Sequence, residues 1–190
     1  MNSKELIDNL IADTKTIIET VKHKFEPLSQ IELNFKTDGW SINECIEHLN
    51  TADDHYIDLF EQRLASAIKI EPKYEFKSGM LGNYFTKSMK PKADGTIPSK
   101  MKTLSKFQPK PERMSTCIEI FLKDQVKMLD ILEKSRTADL NKLKVHSAIG
   151  KIINFKMGDA LRFVIAHNQR HILQAEKVLE ELNLQSKSIA

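Results

Sequence analysis

Apolar residues recur at steps of three and four over four long stretches of this chain, and this feature limits the fold more than any other. The stretches run over residues 3–25, from residue 41 past residue 64, over residues 111–135 and over residues 156–183. In each stretch, this spacing places the apolar side chains along one face of a helix. No alternating run is long enough to predict a sheet. The sequence therefore predicts an all-α fold, a four-helix bundle.

Residues with capping chemistry indicate where two of these helices begin. Ser41 and Glu44 have the spacing of a capping box, in which each side chain binds the backbone N–H of the other residue. Trp40 directly precedes the cap, where we expect it to pack onto the first turn rather than to bind a substrate. Ser3 is in a position to cap the first helix.

Residues 69–113 differ in composition from the rest of the chain and separate the second predicted helix from the third. They contain five of the six prolines and three of the six glycines, with ten Lys and one Arg against four acidic residues. Because proline and glycine interrupt regular structure, we expect a long basic crossover with only short helical turns near Leu81–Met89. Residues 136–156 are expected to form a loop that turns at Gly150.

Length and composition favour one domain over residues 1–190, since 41% apolar and 29% charged residues are an ordinary globular balance. Two cysteines are too few for a disulfide scaffold, which favours a reducing compartment. The N-terminal residues lack a signal-peptide core, and no stretch approaches the roughly 18 apolar residues of a membrane helix. We therefore expect a soluble, cytoplasmic protein. A net charge of +3 is too small to predict nucleic-acid binding. An exposed face of the bundle would suit a homodimer.

Two histidines in the fourth predicted helix carry the most specific chemical signal. His167 and His171 are four residues apart, so both lie on one helix face, and that face is the apolar stripe. Buried imidazoles need polar partners, and a divalent ion such as Zn, Ni or Fe is a partner that two rings can share. Hydrogen-bonded core histidines are the plain alternative. Arg170 lies off this face, where we expect it to pair with an acidic group.

Two ligands make a poor metal site, and His48 is the best candidate for a third. It flanks the apolar stripe of the second predicted helix, three residues after Cys45. Three imidazoles leave coordination positions open for water or substrate, as in catalytic sites. Cys45 is another candidate ligand, although a small buried apolar residue is the plainer interpretation of it. The zinc-protease and di-iron patterns, His-Glu-x-x-His and Glu-x-x-His, do not occur.

Three further residues are candidates for orienting the metal-binding rings through hydrogen bonds. Gln174 follows His171 by about one turn, and Asn168 lies on the inner stripe of the same helix. His55 lies about two turns after His48 along the same edge. Each of the three is also explained as an ordinary polar or packing residue beside the core.

Two segments of the chain match signatures that occur together in one protein family. The segment Trp40–Leu49 reads W-S-x-x-E-x-x-x-H-L, and His167–Gln174 reads H-x-x-R-H-x-x-Q. Both are similar to the signatures of the DinB-like family of small bacterial metal-binding proteins. Lys100–Leu104 and Phe107–Pro109 resemble the K-x-P and F-x-P loop of one branch, with Leu104 in place of the proline.

This resemblance implies a four-helix bundle with a metal-binding triad of His48, His167 and His171. Family members with known activity are metal-dependent thiol S-transferases that use a low-molecular-weight thiol such as mycothiol or bacillithiol; many others have no assigned activity. For this chain the resemblance implies a small-molecule substrate and a metal-activated thiol. The basic crossover could attract such a thiol, and the plainer interpretation of the crossover is a solvated loop. The alternatives are a metal-dependent hydrolase and a non-catalytic, metal-stabilised binding or stress-response protein.

Overall fold

The computed structural model of the protein describes residues 1–36, 38–71, 75–98, 102–148, 150 and 153–189, so Lys100 and Met101 of the loop motif lie outside the described residues. The α-helices of this part are α1 (Ser3–Thr20), α2 (Gln30–Leu33), α3 (Ile42–Ala65), α4 (Met80–Met89), α5 (Cys117–Ser135) and α6 (Met157–Ile189). The strands are β1 (Lys144–His146) and β2 (Asn154–Lys156).

The four long helices α1, α3, α5 and α6 pack around one apolar core, which confirms the predicted all-α bundle. Helix α3 lies against both α5 and α6, and α1 lies against the same two helices on the other side. Phe60 of α3, Phe121 of α5 and Leu161 of α6 are fully buried between them. Burial of a side chain of this size contributes about 1.5–3 kcal/mol to stability, so the inward stripes hold the bundle together.

The capping box predicted at the start of α3 is confirmed, whereas the predicted cap of α1 is wrong by one residue. The Ser41 hydroxyl accepts from the backbone N–H of Glu44 at 3.2 Å, and the Glu44 carboxylate accepts from the backbone N–H of Ser41 at 2.9 Å. Asn2, not Ser3, caps α1, because its side-chain oxygen accepts from the N–H of Lys4 at 2.9 Å. Asn and Ser are about equally good caps, so composition alone could not separate them.

The predicted crossover contains a true helix, which the high proline and glycine content concealed. Helix α4 packs along α6, and Gly82 permits this close approach, since a Cβ there would overlap the side chain of Asp159. The Asp159 carboxylate also accepts from the backbone N–H of Gly79 at 2.8 Å, which fixes the start of α4. After α4 the chain passes over α3 in a short 3-10 turn, Ser105–Phe107. A second 3-10 segment, Pro111–Thr116, leads into α5, which therefore begins six residues later than predicted.

The connection before α6 is not the plain loop that we predicted. Strands β1 and β2 pair antiparallel, with Val145 opposite Phe155 and both side chains buried. Three residues per strand are too few to produce a readable alternation, so periodicity could not detect this hairpin. None of the described helices is long and apolar enough to cross a membrane.

Candidate metal centre

Three imidazole rings from two helices meet in the interior of the bundle. His48 lies in the second turn of α3, and His167 and His171 lie one turn apart on α6. The ring centroids are 5.0 Å apart for His48 and His167, 4.6 Å for His48 and His171, and 4.7 Å for His167 and His171. Ligand nitrogens of all three lie within 4.8 Å of one another. The structure therefore brings together the three histidines that the sequence singled out.

Hydrogen bonds at the outer ring nitrogens leave Nε2 as the inward-facing nitrogen of two of the rings. His48 donates from Nδ1 to the backbone carbonyl of Phe107 at 2.6 Å. His171 donates from Nδ1 to the side-chain oxygen of Gln174 at 3.1 Å. A neutral imidazole that donates from Nδ1 carries its lone pair on Nε2, which is the form that binds a metal.

The distance between the inward nitrogens fits a shared cation. Nε2 of His48 and Nε2 of His167 are 3.1 Å apart. Two imidazole nitrogens on one tetrahedral zinc ion, each at 2.0–2.1 Å, stand roughly 3.3 Å from each other. Since His48 donates from Nδ1, its Nε2 lone pair faces Nε2 of His167, which is close enough either to donate a hydrogen bond to that lone pair or to share a cation with it. The donor set, three nitrogens and no charge, suits Zn, Ni or Fe.

Burial keeps the three rings neutral. His48 is 5% exposed and His171 is 8% exposed, and His167 is partly buried. Burial is the main cause that lowers the pKa of each ring, and it lowers the pKa of His171 to about 3. The positive charge of Arg170 lowers the pKa of His167 and His171 further. Neutral imidazole is the ligand form, so the rings need to lose no proton to bind a metal near pH 7.

A cavity of about 580 Å³ opens directly onto the three rings. Its walls are mainly apolar and come from α3, α6 and the crossover, with Trp40, Tyr56, Phe107 and Phe163 as the aromatic side chains. This volume suits one small-molecule ligand. A metal held by three protein ligands beside such a cavity would keep a coordination position accessible, which distinguishes catalytic from structural zinc sites.

The crossover forms one wall of this cavity, so it is more than a solvated loop. Met89, Ile97 and the segment 102–104 line the space above the rings. The Phe107 carbonyl accepts from His48, as described above, and also from the hydroxyl of Thr51 at 3.3 Å. The basic segment is therefore tied to α3 at the candidate metal centre itself.

The three residues predicted to orient the rings occupy different places. Only Gln174 hydrogen-bonds one of the triad rings. Asn168 is fully buried but turns toward α5, where its amide donates to Gln125 at 3.3 Å. The ring of His55 lies against Tyr56 and Phe107, 5.1 and 6.2 Å between centroids, and its buried Nε2 has no hydrogen-bond partner among the described residues.

Two other side chains have clear positions. Cys45 is fully buried in the apolar core, and burial raises the pKa of its thiol, so the plainer interpretation of Cys45 holds. Trp40, which we expected only to pack onto the first turn of α3, lies beside the metal centre. Its ring is 4.9 Å from His48 and 5.8 Å from His171, and it forms part of the cavity wall.

A buried polar cluster lies between α3 and α5, and the sequence analysis did not predict it. Asp53 is fully buried and accepts from the amide of Gln125 at 2.8 Å. Burial, followed by the negative charge of Asp124, raises the pKa of Asp53 to about 8. Glu47, Asn50 and Asp53 recur at steps of three along the inward face of α3, and this spacing was the signal that could have revealed the cluster.

Comparison with known sequences identifies one related family. A sequence model of the DinB superfamily matches residues 14–175, a span that includes all three histidines. Comparison with curated proteins and with solved structures gave no match.

Proposed function

The chain belongs to the DinB superfamily, and from this premise we propose that it holds one divalent metal ion on His48, His167 and His171. The observation that carries the proposal is the convergence of three neutral imidazoles, two of them with Nε2 facing inward, in one buried place. A hydrogen bond between Nε2 of His167 and Nε2 of His48 pairs only two of the rings, whereas one cation would bind all three.

We further propose that the metal centre is catalytic and acts on a thiol. A divalent ion supplies Lewis acidity there, which lowers the pKa of a thiol or water bound to it. The cavity beside the rings supports catalysis, because a purely structural ion would need no ligand-sized space next to it. The apolar walls favour thiol transfer over hydrolysis, since they limit the access of competing water.

The proposed reaction joins a small thiol to a carbon electrophile. The sulfur forms the new S–C bond with its electron pair, the bond from that carbon to the leaving group breaks with its pair, and the thiol proton passes to solvent. Residues of this chain contribute by position: Gln174 and the Phe107 carbonyl fix two of the rings, and the aromatic walls hold the organic reactants.

Elemental analysis of protein purified without a histidine tag tests the metal. We expect about one divalent ion per chain, and we expect His171→Ala to lose it. His23→Ala is the matched control, because His23 is an exposed residue of the helical turn after α1, and its ring pairs with Glu19 on the surface. Wild-type protein that binds no divalent ion after reconstitution with Zn, Ni or Fe salts would refute the proposal.

A second assay separates transfer from hydrolysis. Metal-loaded protein is mixed with a small thiol and monobromobimane, and loss of free thiol is followed together with thioether formation. A p-nitrophenyl ester is supplied in parallel as a hydrolysis substrate. We expect thioether formation that requires His171 and no ester hydrolysis above the His171→Ala background. Ester hydrolysis without thioether formation would support the hydrolase alternative. The absence of both reactions would support a non-catalytic role.

A further inference from the structure

Helix α5 carries an apolar stripe on its outer side, beside the face that packs into the core. Val126 lies at the centre of this stripe and is 63% exposed. Ile118, Leu122 and Leu129 extend it at steps of three and four residues along the helix, and each of them is only partly buried. These four side chains would bury further apolar area against a partner, so the stripe is a candidate contact surface.

Four charged residues run along one edge of the stripe and form two ion pairs on the surface. Glu119 pairs with Lys123 at 2.7 Å, and Asp130 pairs with Lys134 at 2.5 Å. All four side chains are more than half exposed, so each charge remains accessible to a second chain. Exposed pairs of this kind contribute little to the stability of a single chain, whereas charges that flank an apolar helix seam set which partner binds and in which direction.

The order of these charges is self-complementary when two copies of α5 run antiparallel. Positions 119 and 134, and likewise positions 123 and 130, are equally far from the midpoint between residues 126 and 127. A twofold axis through this midpoint places Glu119 level with the partner's Lys134. It also places Lys123 level with the partner's Asp130, and each contact occurs twice because a twofold interface is the same for both chains. A parallel pair would instead set each charge level with its own copy.

The same antiparallel register brings the two apolar stripes together. Val126 lies next to the axis, so it meets the partner's Val126. Leu122 and the partner's Leu129 are then only about 3 Å apart along the helix direction, at a rise of about 1.5 Å per residue. One register therefore satisfies both the apolar stripe and the charges at its edge.

Two other charged side chains on this side of α5 are paired within the chain and do not oppose the arrangement. Lys127 binds Asp124 at 2.8 Å, and Glu133 accepts from Arg136 at 2.5 Å. Helices α1 and α3 each pack against both α5 and α6, so α5 lies diagonally across the bundle from α6 and its two histidines. A partner on α5 would thus leave the candidate metal centre uncovered.

We infer that the outer side of α5 is the interface of a homodimer, in which two copies of α5 pack antiparallel about a twofold axis near Val126. The occupant of the stripe is a second copy of this chain, because the charges at its edge complement themselves. One helix from each chain makes a contact at the small end of specific interfaces, so the dimer forms and dissociates with protein concentration. The inference is independent of the metal and of the proposed reaction.

Reversal of the charges tests the antiparallel register. Sedimentation velocity over a series of micromolar concentrations gives the dimer Kd of the wild type. Lys123→Glu should raise this Kd at least about tenfold, because like charges would then face each other twice, and Asp130→Lys should do the same. The combined variant Lys123→Glu/Asp130→Lys exchanges the two charges across the interface and should return to within about threefold of the wild-type Kd.

Both substituted side chains are exposed, so the fold should survive, and circular dichroism of each variant checks this. Lys87→Glu is the matched control, because Lys87 is an exposed lysine of α4, which packs against α6 on the other side of the bundle. It should dimerise as the wild type does. A wild type that stays monomeric at the highest concentration would overturn the inference, and so would a combined variant that dimerises no better than the single ones.

A second pair of variants tests the apolar stripe itself. Val126→Lys should raise the dimer Kd at least about tenfold, since it would place two like charges at the twofold axis. Leu81→Lys is its control, because Leu81 is similarly exposed, at 56%, but lies on α4. Loss of the dimer in Leu81→Lys, with an unchanged Kd in Val126→Lys, would show that the chains associate through α4 and would overturn the assignment to α5.

Discussion

His48 donates from Nδ1 to the backbone carbonyl of Phe107 at 2.6 Å, so a ring on α3 is oriented by a peptide of the crossover, 59 residues further along the chain. This bond ties the metal centre to the segment that covers it. A metal ion that fixed His48 would thereby also fix the wall of the cavity. Binding at the centre and order in the crossover are therefore coupled, and the coupling can be measured.

Metal binding is expected to slow backbone hydrogen exchange in the turn Ser105–Phe107. The amide of Phe107 donates to Leu104 at 2.9 Å, and this bond should open less often when His48 is held. Exchange measured by mass spectrometry, with and without zinc, should slow severalfold in wild type. His48→Ala should show no zinc-dependent change in this turn, and equal slowing in that variant would contradict the coupling.

Removal of the metal is expected to lower thermal stability. A ligand that binds only the folded state stabilises it by about 2.7 kcal/mol at a free concentration 100 times its Kd. Calorimetry of zinc-loaded and chelator-treated protein should therefore give a clearly lower Tm after chelation. In His167→Ala the two traces should coincide, whereas the exposed-site control His23→Ala should keep the wild-type difference.

The buried carboxyl of Asp53 is expected to make stability depend on pH. Its pKa is raised to about 8 in the folded protein, mainly by burial, whereas an unfolded chain ionises it near pH 4. The unfolded state therefore releases this proton first, and the stability that the neutral carboxyl provides below pH 4 declines as the pH rises to about 8.

Asp53→Asn should flatten this decline, because the amide does not titrate. Urea denaturation at pH 5 and pH 8 should show a loss of free energy of unfolding that is smaller in the variant by about 1 kcal/mol or more, against a limit of roughly 1.4 kcal/mol per pH unit. Asp58→Asn, on the exposed side of the same helix, is the control and should keep the wild-type slope. Identical slopes for wild type and Asp53→Asn would show that Asp53 ionises normally.

Any side chain at Gly82 is expected to destabilise the protein, because α4 and α6 pack too closely there to accommodate it. A Cβ there would lie 2.6 Å from Oδ2 of Asp159 and closer still to its carbon atoms, so Gly82→Ala must displace one helix. Overpacking of this type costs about 1–3 kcal/mol. Gly39→Ala is the control, because a Cβ at Gly39 meets nothing within 4 Å. Chemical denaturation of both variants measures the difference, and equal stabilities would disprove the steric constraint.

The bundle and the three histidines could be predicted because both follow from short-range spacing. The four-residue step from His167 to His171 puts both on one face, and the capping box at Ser41 fixes where α3 begins and so where His48 points. The contact between His48 and Phe107 could not be predicted, because no local pattern encodes a contact across 59 residues of sequence. For the same reason Asn168 was placed at the site, while the structure pairs it with Gln125 of α5.

Gln174 is expected to strengthen metal binding through the ring of His171. Its side-chain oxygen accepts from Nδ1 of His171 at 3.1 Å, which holds the ring and its tautomer for binding through Nε2. Loss of such a partner typically weakens metal affinity 10–100-fold, so Gln174→Leu should raise the Kd for zinc by about that factor. Gln174→Glu keeps an oxygen acceptor and should remain close to wild type or bind more tightly. Competition with a chromophoric chelator measures all three Kd values, and an unchanged Kd in Gln174→Leu would show that the bundle alone orients His171.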